Sequence, residues 1–182
     1  MNQRDIVQWI MRKTIKENSI CVDMTLGNGN DLVYIMNLAM NGKVYGFDIQ
    51  RVAIQRTKEK IKPSHRIQLI NDSHENIDLY IHENIDFGVY NLGYLPSGNR
   101  NITTSVHSTM FSLKVLLNKL NHGGNIVIST YPGHREGYCE DIEIKKYLTT
   151  LNQHEFDVLH FDYLNRRNSP PKVYWITKVG KV

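Results

Sequence analysis

Ser19-Ile20-Cys21-Val22-Asp23-Met24-Thr25-Leu26-Gly27-Asn28-Gly29-Asn30-Asp31 is the stretch that decides the fold. Its first six residues form a short apolar run that ends in a glycine-containing turn, which reads as a buried parallel strand. Beyond the turn, residues 31–40 place Leu32, Ile35, Met36 and Ala39 at helical spacing, and Gly42 follows as a stop signal. The same strand-to-helix rhythm repeats downstream. Residues 43–48 read as a second strand and 52–61 as a second helix, ended by Pro63. Residues 66–70 form a third strand, with a short helix around His74 to Tyr80. Residues 85–92 form a fourth, 104–120 a long helix, and 125–130 a fifth strand after the turn His122-Gly123-Gly124.

After residue 130 the rhythm changes. Residues 136–151 read as a helix, but 156–162 and 173–178 are two strands with no helix between them. Their connector, Asn165-Arg166-Arg167-Asn168-Ser169-Pro170-Pro171, is polar and turn-forming, so the strands should pair as a hairpin. The prediction is an α/β, Rossmann-like fold: a doubly wound, mostly parallel seven-stranded sheet with a C-terminal antiparallel hairpin.

Length and composition narrow the class. The chain has 182 residues, which suits one hydrophobic core, so residues 1–182 are expected to form one domain. Its apolar and charged fractions are those of a globular protein and argue against extended disorder. No apolar run approaches the roughly 20 residues of a membrane span, and no membrane partner is expected. MNQRDIVQWIMRK at positions 1–13 reads as an amphipathic helix and lacks the order of a signal peptide. Cys21 and Cys139 stand far apart, which favours a reduced, cytoplasmic setting. No metal site is expected, since the eight histidines form no ligand spacing with the cysteines or an acid pair. A net charge of +4 permits a nucleic-acid partner without requiring one.

Chemistry is concentrated at the strand ends. Gly27 and Gly29 let a ligand approach the backbone closely. The third glycine of a dinucleotide fingerprint would fall at Leu32, and its absence counts against NAD. S-adenosylmethionine carries a sulfonium, an ammonium and a carboxylate but no pyrophosphate, so an acid beside the turn, Asp23, suits it better. Asp48 closes the second strand 21 positions after Gly27 and can accept hydrogen bonds from both ribose hydroxyls. Asp72, Ser73 and His74 close the third strand, where the adenine amine lies in methyltransferases. Each acid alone reads equally as a solvated residue or a helix cap, and Asp31 as a helix-start residue. Acids at three successive strand ends carry the argument together. The expected cofactor-binding set is Asp23, Gly27, Asn28, Gly29, Asn30, Asp31, Asp48, Gln50, Asp72, Ser73, His74 and Asn91.

The fourth strand ends in Asn91-Leu92-Gly93-Tyr94-Leu95-Pro96, which resembles the Asn-Pro-Pro-Tyr motif of methyltransferases that modify amines. An amine nucleophile must be neutral, with its lone pair aimed at the methyl carbon. The Asn91 side-chain oxygen and a nearby backbone carbonyl can accept the two N–H bonds and fix that direction. Tyr94 can stack on a target base or cover the methyl group. Asn91 and Tyr94 are the expected catalytic residues. The polar loop 97–104 and the loop Tyr131-Pro132-Gly133-His134-Arg135-Glu136-Gly137 lie on the same sheet edge. Arg100, Tyr131, His134 and Arg135 are therefore the expected RNA contacts. Two readings stay open for His107, a proton acceptor or a structural residue, and two for Arg166-Arg167, a phosphate clamp or a solvated pair.

Together with Ile102-Thr103-Thr104, these motifs resemble the small class I methyltransferases that carry the rRNA methylase description and are associated with tRNA 5-(aminomethyl)-2-thiouridine methylation (the MnmM type). The resemblance covers nearly the whole chain. It implies methyl transfer from S-adenosylmethionine to the aminomethyl nitrogen of the wobble uridine, in the tRNA anticodon stem-loop. The products would be 5-methylaminomethyl-2-thiouridine and adenosylhomocysteine. It also implies a homodimer. One departure is visible: Met24 and Leu26 stand where small residues are expected, which bears on how the methionine tail packs. The rival readings are the same chemistry on rRNA or another amine, an NAD-linked oxidoreductase, and a non-catalytic RNA-binding protein.

Overall fold

The computed structural model describes residues 2–93 and 104–180. Its elements run α1 (Gln3–Thr14), β1 (Cys21–Asp23), α2 (Asn30–Leu38), β2 (Val44–Phe47), α3 (Arg51–Lys58) and β3 (Ile67–Ile70). A single 3-10 turn (His74–Asn76) leads into α4 (Ile77–Tyr80), followed by β4 (Ile85–Asn91), α5 (Val106–Lys119), β5 (Leu120–Thr130), α6 (Arg135–Leu148), β6 (Phe156–Phe161) and β7 (Lys172–Lys178). Among the described residues no helix is long and apolar enough to cross a membrane.

The seven strands lie in the order β3-β2-β1-β4-β5-β7-β6. The first five run parallel to one another, and β7 runs antiparallel to both β5 and β6. The terminal hairpin pairs Phe156 with Lys178 and Phe161 with Val173. This is the doubly wound α/β sheet that the strand rhythm predicts.

Alternation along the strands gives the sheet two buried faces. Cys21, Val44, Phe87, Val127 and Val173 point toward α1, α2 and α3, where Ile6, Ile10, Met11, Leu32 and Ile54 meet them. Val22, Tyr45, Tyr90, Ile126 and Ile176 point the other way, toward Ile77, Leu113, Leu116 and Ile144 on α4, α5 and α6. Each such side chain, fully buried, stabilises the fold by about 1.5–3 kcal/mol. At α1, Asn2 and Asp5 exchange side-chain and backbone hydrogen bonds as a capping box, and Ile6, Val7, Ile10 and Met11 form the buried stripe.

Several boundaries differ from the sequence expectation. The helices expected at 31–40 and 136–151 are shorter at their C-terminal ends, closing at Leu38 and Leu148. The His122-Gly123-Gly124 turn does not separate α5 from a strand beginning at Asn125. Leu120 already pairs with Ile85 and Asn125 with Phe87, so the intervening residues bulge out of one continuous β5. Gly123 supplies the left-handed backbone for the bulge, at φ 74°. Pairing with β4 on both sides of a bulge is a tertiary fact that a local turn signal does not carry.

The chain leaves β1 for β2 and β3 on one side, while β4 pairs with β1 on the other. The carboxyl ends of β1 and β4 therefore flank the switch point, where open α/β sheets bind ligands.

Candidate functional site

The β1–α2 turn is shaped by Gly27 (φ 53°) and Gly29 (φ 72°), both in the left-handed region that a Cβ disfavours. At Gly29 space is short as well, because a Cβ there would run into the Thr57 hydroxyl of α3. Backbone bonds lace the turn to its neighbours: Met24 N–H to the Val89 carbonyl (2.9 Å) and Leu26 N–H to the Phe47 carbonyl (2.8 Å). Asp48, just past β2, accepts the Gly27 N–H on Oδ2 and the Gln50 N–H on Oδ1, both at 2.8 Å. Burial raises the Asp48 pKa, and these two amide bonds oppose the rise. Asn28 and Asn30 are tied to α3 and the turn after it: Arg56 donates to Asn28 Oδ1 (3.0 Å), and Lys60 to the Asn28 carbonyl (2.6 Å) and Asn30 Oδ1 (2.9 Å).

Asn91 ends β4 beside this turn. Its backbone N–H donates to Thr25 Oγ1 at 2.6 Å, and its side-chain Nδ2 donates to Asp31 Oδ2. That bond commits the amide nitrogen to Asp31 and leaves Oδ1 as the acceptor. Gln3 Nε2 and the Tyr131 hydroxyl reach Oδ1 only at 3.3 and 3.5 Å, long contacts that a better donor can displace. Gln3 is anchored by a second bond to Ser129 Oγ. Burial raises the Asp31 pKa, while Asn91 and the Arg4 guanidinium pull it back. Tyr131 is raised by its own burial and by the nearby Asp31 charge.

These groups wall one cavity of about 850 Å³, within the usual size of a small-molecule site. Of the residues expected from the sequence, Gly27, Asn28, Asn30, Asp31, Asp48, Gln50, Ser73, His74 and Asn91 line it, with Tyr131 and His134. Four others are placed elsewhere. Asp23 is buried beneath the turn and accepts the Thr25 N–H at 3.1 Å, and Gly29 packs against α3. Asp72 spends its carboxylate on Asn76 (3.1 Å to each oxygen), the Tyr80 hydroxyl (2.8 Å) and the Ser73 N–H (2.7 Å). Arg135 is exposed at the start of α6, as His107 is on α5. Arg166 stacks on Tyr163, 3.8 Å from the ring centroid. Tyr94 and Arg100 lie outside the described residues.

His74 is the unusual group in the wall. It is buried, its Nε2 has no hydrogen-bond partner among the described residues, and burial lowers its pKa to about 4. A backbone hydrogen bond with Met24 partly opposes that fall, and the ring is neutral where the residue meets the cavity.

A family model described as "Putative rRNA methylase" matches residues 44–177. The chain belongs to that family. A solved protein from Clostridium thermocellum with the same description superposes on this chain with a TM-score of 0.95 at 35% identity, covering 98% of each. A Streptococcus mutans protein described as a methyltransferase, solved in complex with SAH, gives 0.89 at 34% identity, covering 98% of this chain and 99% of its own. A chloroplastic tRNA (mnm(5)s(2)U34)-methyltransferase of Arabidopsis thaliana is 29% identical over 184 residues, which is 93% of this chain and 67% of that protein.

In this rRNA methylase family chain, the cavity wall includes polar residues that the sequence reading does not single out. Gln3 and Arg4 line the cavity from the first turn of α1. The capping signal marks where that helix begins, but nothing local says that its start lies over the end of β4. Thr25 and Thr104, also in the wall, hold the Asn91 and Gly93 backbone N–H groups, and Ser129 holds Gln3; these pairings link distant segments and carry no local signal.

Proposed function

We propose that this chain is an S-adenosylmethionine-dependent RNA methyltransferase that methylates the aminomethyl nitrogen of 5-aminomethyl-2-thiouridine at the tRNA wobble position. Residues 1–182 act as one domain and the product is 5-methylaminomethyl-2-thiouridine. The observation that carries the reading is the Asn91 amide. Its nitrogen is committed to Asp31, so its oxygen is offered to the cavity that the glycine turn and Asp48 also line.

The residues present fit adenosylmethionine. Asp48 has lone pairs left for two ribose hydroxyls, Ser73 and His74 line the wall at the end of the third strand, and Met24, Leu26 and Phe47 supply apolar wall. When bound, the cofactor supplies an electrophilic methyl group. The chain's own part is to hold the acceptor nitrogen: Asn91 Oδ1 takes one N–H bond, which fixes the lone-pair direction. Asp31 keeps that amide from turning, and Thr25 holds the Asn91 backbone N–H.

Relatives support each layer of the proposal. The SAH complex of the Streptococcus mutans protein supports the cofactor, and the Arabidopsis thaliana protein supports the tRNA wobble substrate. Tyr131 and His134 line the cavity beside the exposed Arg135, which suits an anticodon stem-loop. Motif resemblance supports a homodimer, and two free cysteines suit the cytoplasm. Because the family description names rRNA, the deciding experiment offers purified protein and labelled adenosylmethionine to unmethylated tRNA and to ribosomes. Label is expected in tRNA, at the wobble nucleoside by mass spectrometry. Label in ribosomes alone would overturn the substrate.

A further inference from the structure

The amine named above sets a requirement that Asn91 does not meet. A primary alkylamine is an ammonium near neutral pH and has no lone pair to share. An amide oxygen accepts a hydrogen bond there but not a proton. A proton acceptor within reach of the Asn91 oxygen lets the bound ammonium react at neutral pH.

The cavity offers few candidates among its described residues. Asp48 and Asp31 are its carboxylates. Asp48 holds a backbone N–H on each oxygen, and this pair of bonds shapes the glycine turn. His74, with its pKa lowered to about 4, is a poor base. His134 Nδ1 already takes the Gly137 N–H at 3.1 Å and caps α6. Asp31 differs from all of these. Its Oδ2 holds the Asn91 amide nitrogen, and among the described residues no hydrogen bond is made to its Oδ1. The carboxylate thus stands one hydrogen bond from the amide that orients the target.

We propose that Asp31 takes the proton from the substrate's ammonium. The inference rests on the amine-methylating reading above. One N–H bond breaks, its electron pair stays on nitrogen as the lone pair that the methyl acceptor needs, and an O–H bond forms on Asp31. Solvent then takes that proton, so one proton leaves per turnover. The groups facing Asp31 suit the task. Arg4 from α1 favours the ionised resting form, while burial raises its basicity. Asn91 from β4 fixes its orientation. Asp23 from β1 and Tyr131 after β5 both feel its charge.

The test compares the wild-type protein with Asp31→Asn and Asp31→Glu on tRNA carrying 5-aminomethyl-2-thiouridine. Adenosylhomocysteine binding, read by calorimetry, reports both folding and the cofactor site. Asp31→Asn is expected to keep adenosylhomocysteine affinity within about threefold while kcat at pH 7 falls about 10²–10⁴-fold. Its rate should then climb about tenfold per pH unit toward the amine's own pKa, as solution does the deprotonation. Asp31→Glu should keep the flatter wild-type profile at a lower rate. Parallel pH profiles for wild type and Asp31→Asn would overturn the role. So would a tenfold or greater loss of adenosylhomocysteine affinity, which would assign Asp31 to the cofactor. If the wild-type protein leaves this tRNA unmethylated, the functional reading fails along with the inference.

Discussion

A single amide orientation separates a binding cleft from a site that can aim a nitrogen. Asn91→Ala removes the acceptor but leaves the glycine turn and Asp48 intact. Single-turnover methyl transfer is expected to fall about 10²–10³-fold, with adenosylhomocysteine affinity nearly unchanged by calorimetry. Equal loss of both would mean that Asn91 belongs to the cofactor alone. Gly29 is bound by a different rule. Its φ of 72° and the Thr57 hydroxyl beside it both reject a side chain. Gly29→Ala should lower stability by about 1–3 kcal/mol in a thermal melt. These two residues mark what local sequence reveals. Gly27-Asn28-Gly29 declares its turn because the backbone needs φ > 0 there. Asn91 stands out by closing a strand. Gln3 and Arg4 carry no such mark, since their role depends on where α1 lands.

At the scale of elements, α6 braces the site from behind. Its Glu140 is buried and accepts the Thr109 hydroxyl at 3.0 Å and the Thr104 hydroxyl at 3.1 Å. Thr104 in turn accepts the Gly93 N–H (2.9 Å) and donates its own N–H to the Gly93 carbonyl (3.0 Å), so the helix clasps the backbone two residues past Asn91. Burial raises the Glu140 pKa from 4.5 to about 7. An unfolded glutamate loses its proton near 4.5, whereas the folded one keeps it to about 7. The protonated side chain's contribution is therefore complete below pH 4.5 and fades as pH rises through 7, a swing of roughly 3 kcal/mol. Glu140→Gln lacks the titration, so its Tm relative to wild type should rise between pH 5 and pH 8. A constant difference across that range would refute the assignment. Helical spacing made α6 itself readable, as it did α2 and α3. The clasp was not readable, because Glu140 looks like any other acid on a polar helix until its partners are placed.

The whole molecule is a sheet whose last hairpin must close against the parallel part, and Asp141 does much of that closing. From α6 it accepts the Thr130 hydroxyl of β5 (2.7 Å), the Tyr174 hydroxyl of β7 (2.8 Å) and the Lys172 ammonium (2.7 Å). Burial alone would push its pKa up, but the bonds from Lys172, Thr130 and Tyr174 hold it below the ordinary carboxylate value. Alternating runs and the missing helix between residues 156 and 178 were enough to predict the architecture, because fold class follows from periodicity. A long-range polar hub has no period and is invisible to that reading. Removing one partner of a buried pair leaves the others desolvated and unmatched, at a cost of about 3–5 kcal/mol. In a chain of this size each kcal/mol moves Tm by about 2–4 °C, so Asp141→Ala should melt roughly 10 °C lower. Asp141→Asn, which keeps one acceptor oxygen, should lose less. Hydrogen exchange should quicken first in β6 and β7, ahead of β1 and β4, since the hub joins the hairpin to the rest. Asp157→Ala, an exposed acid on β6, serves as the control, and an equal drop there would show that Asp141 holds no special place.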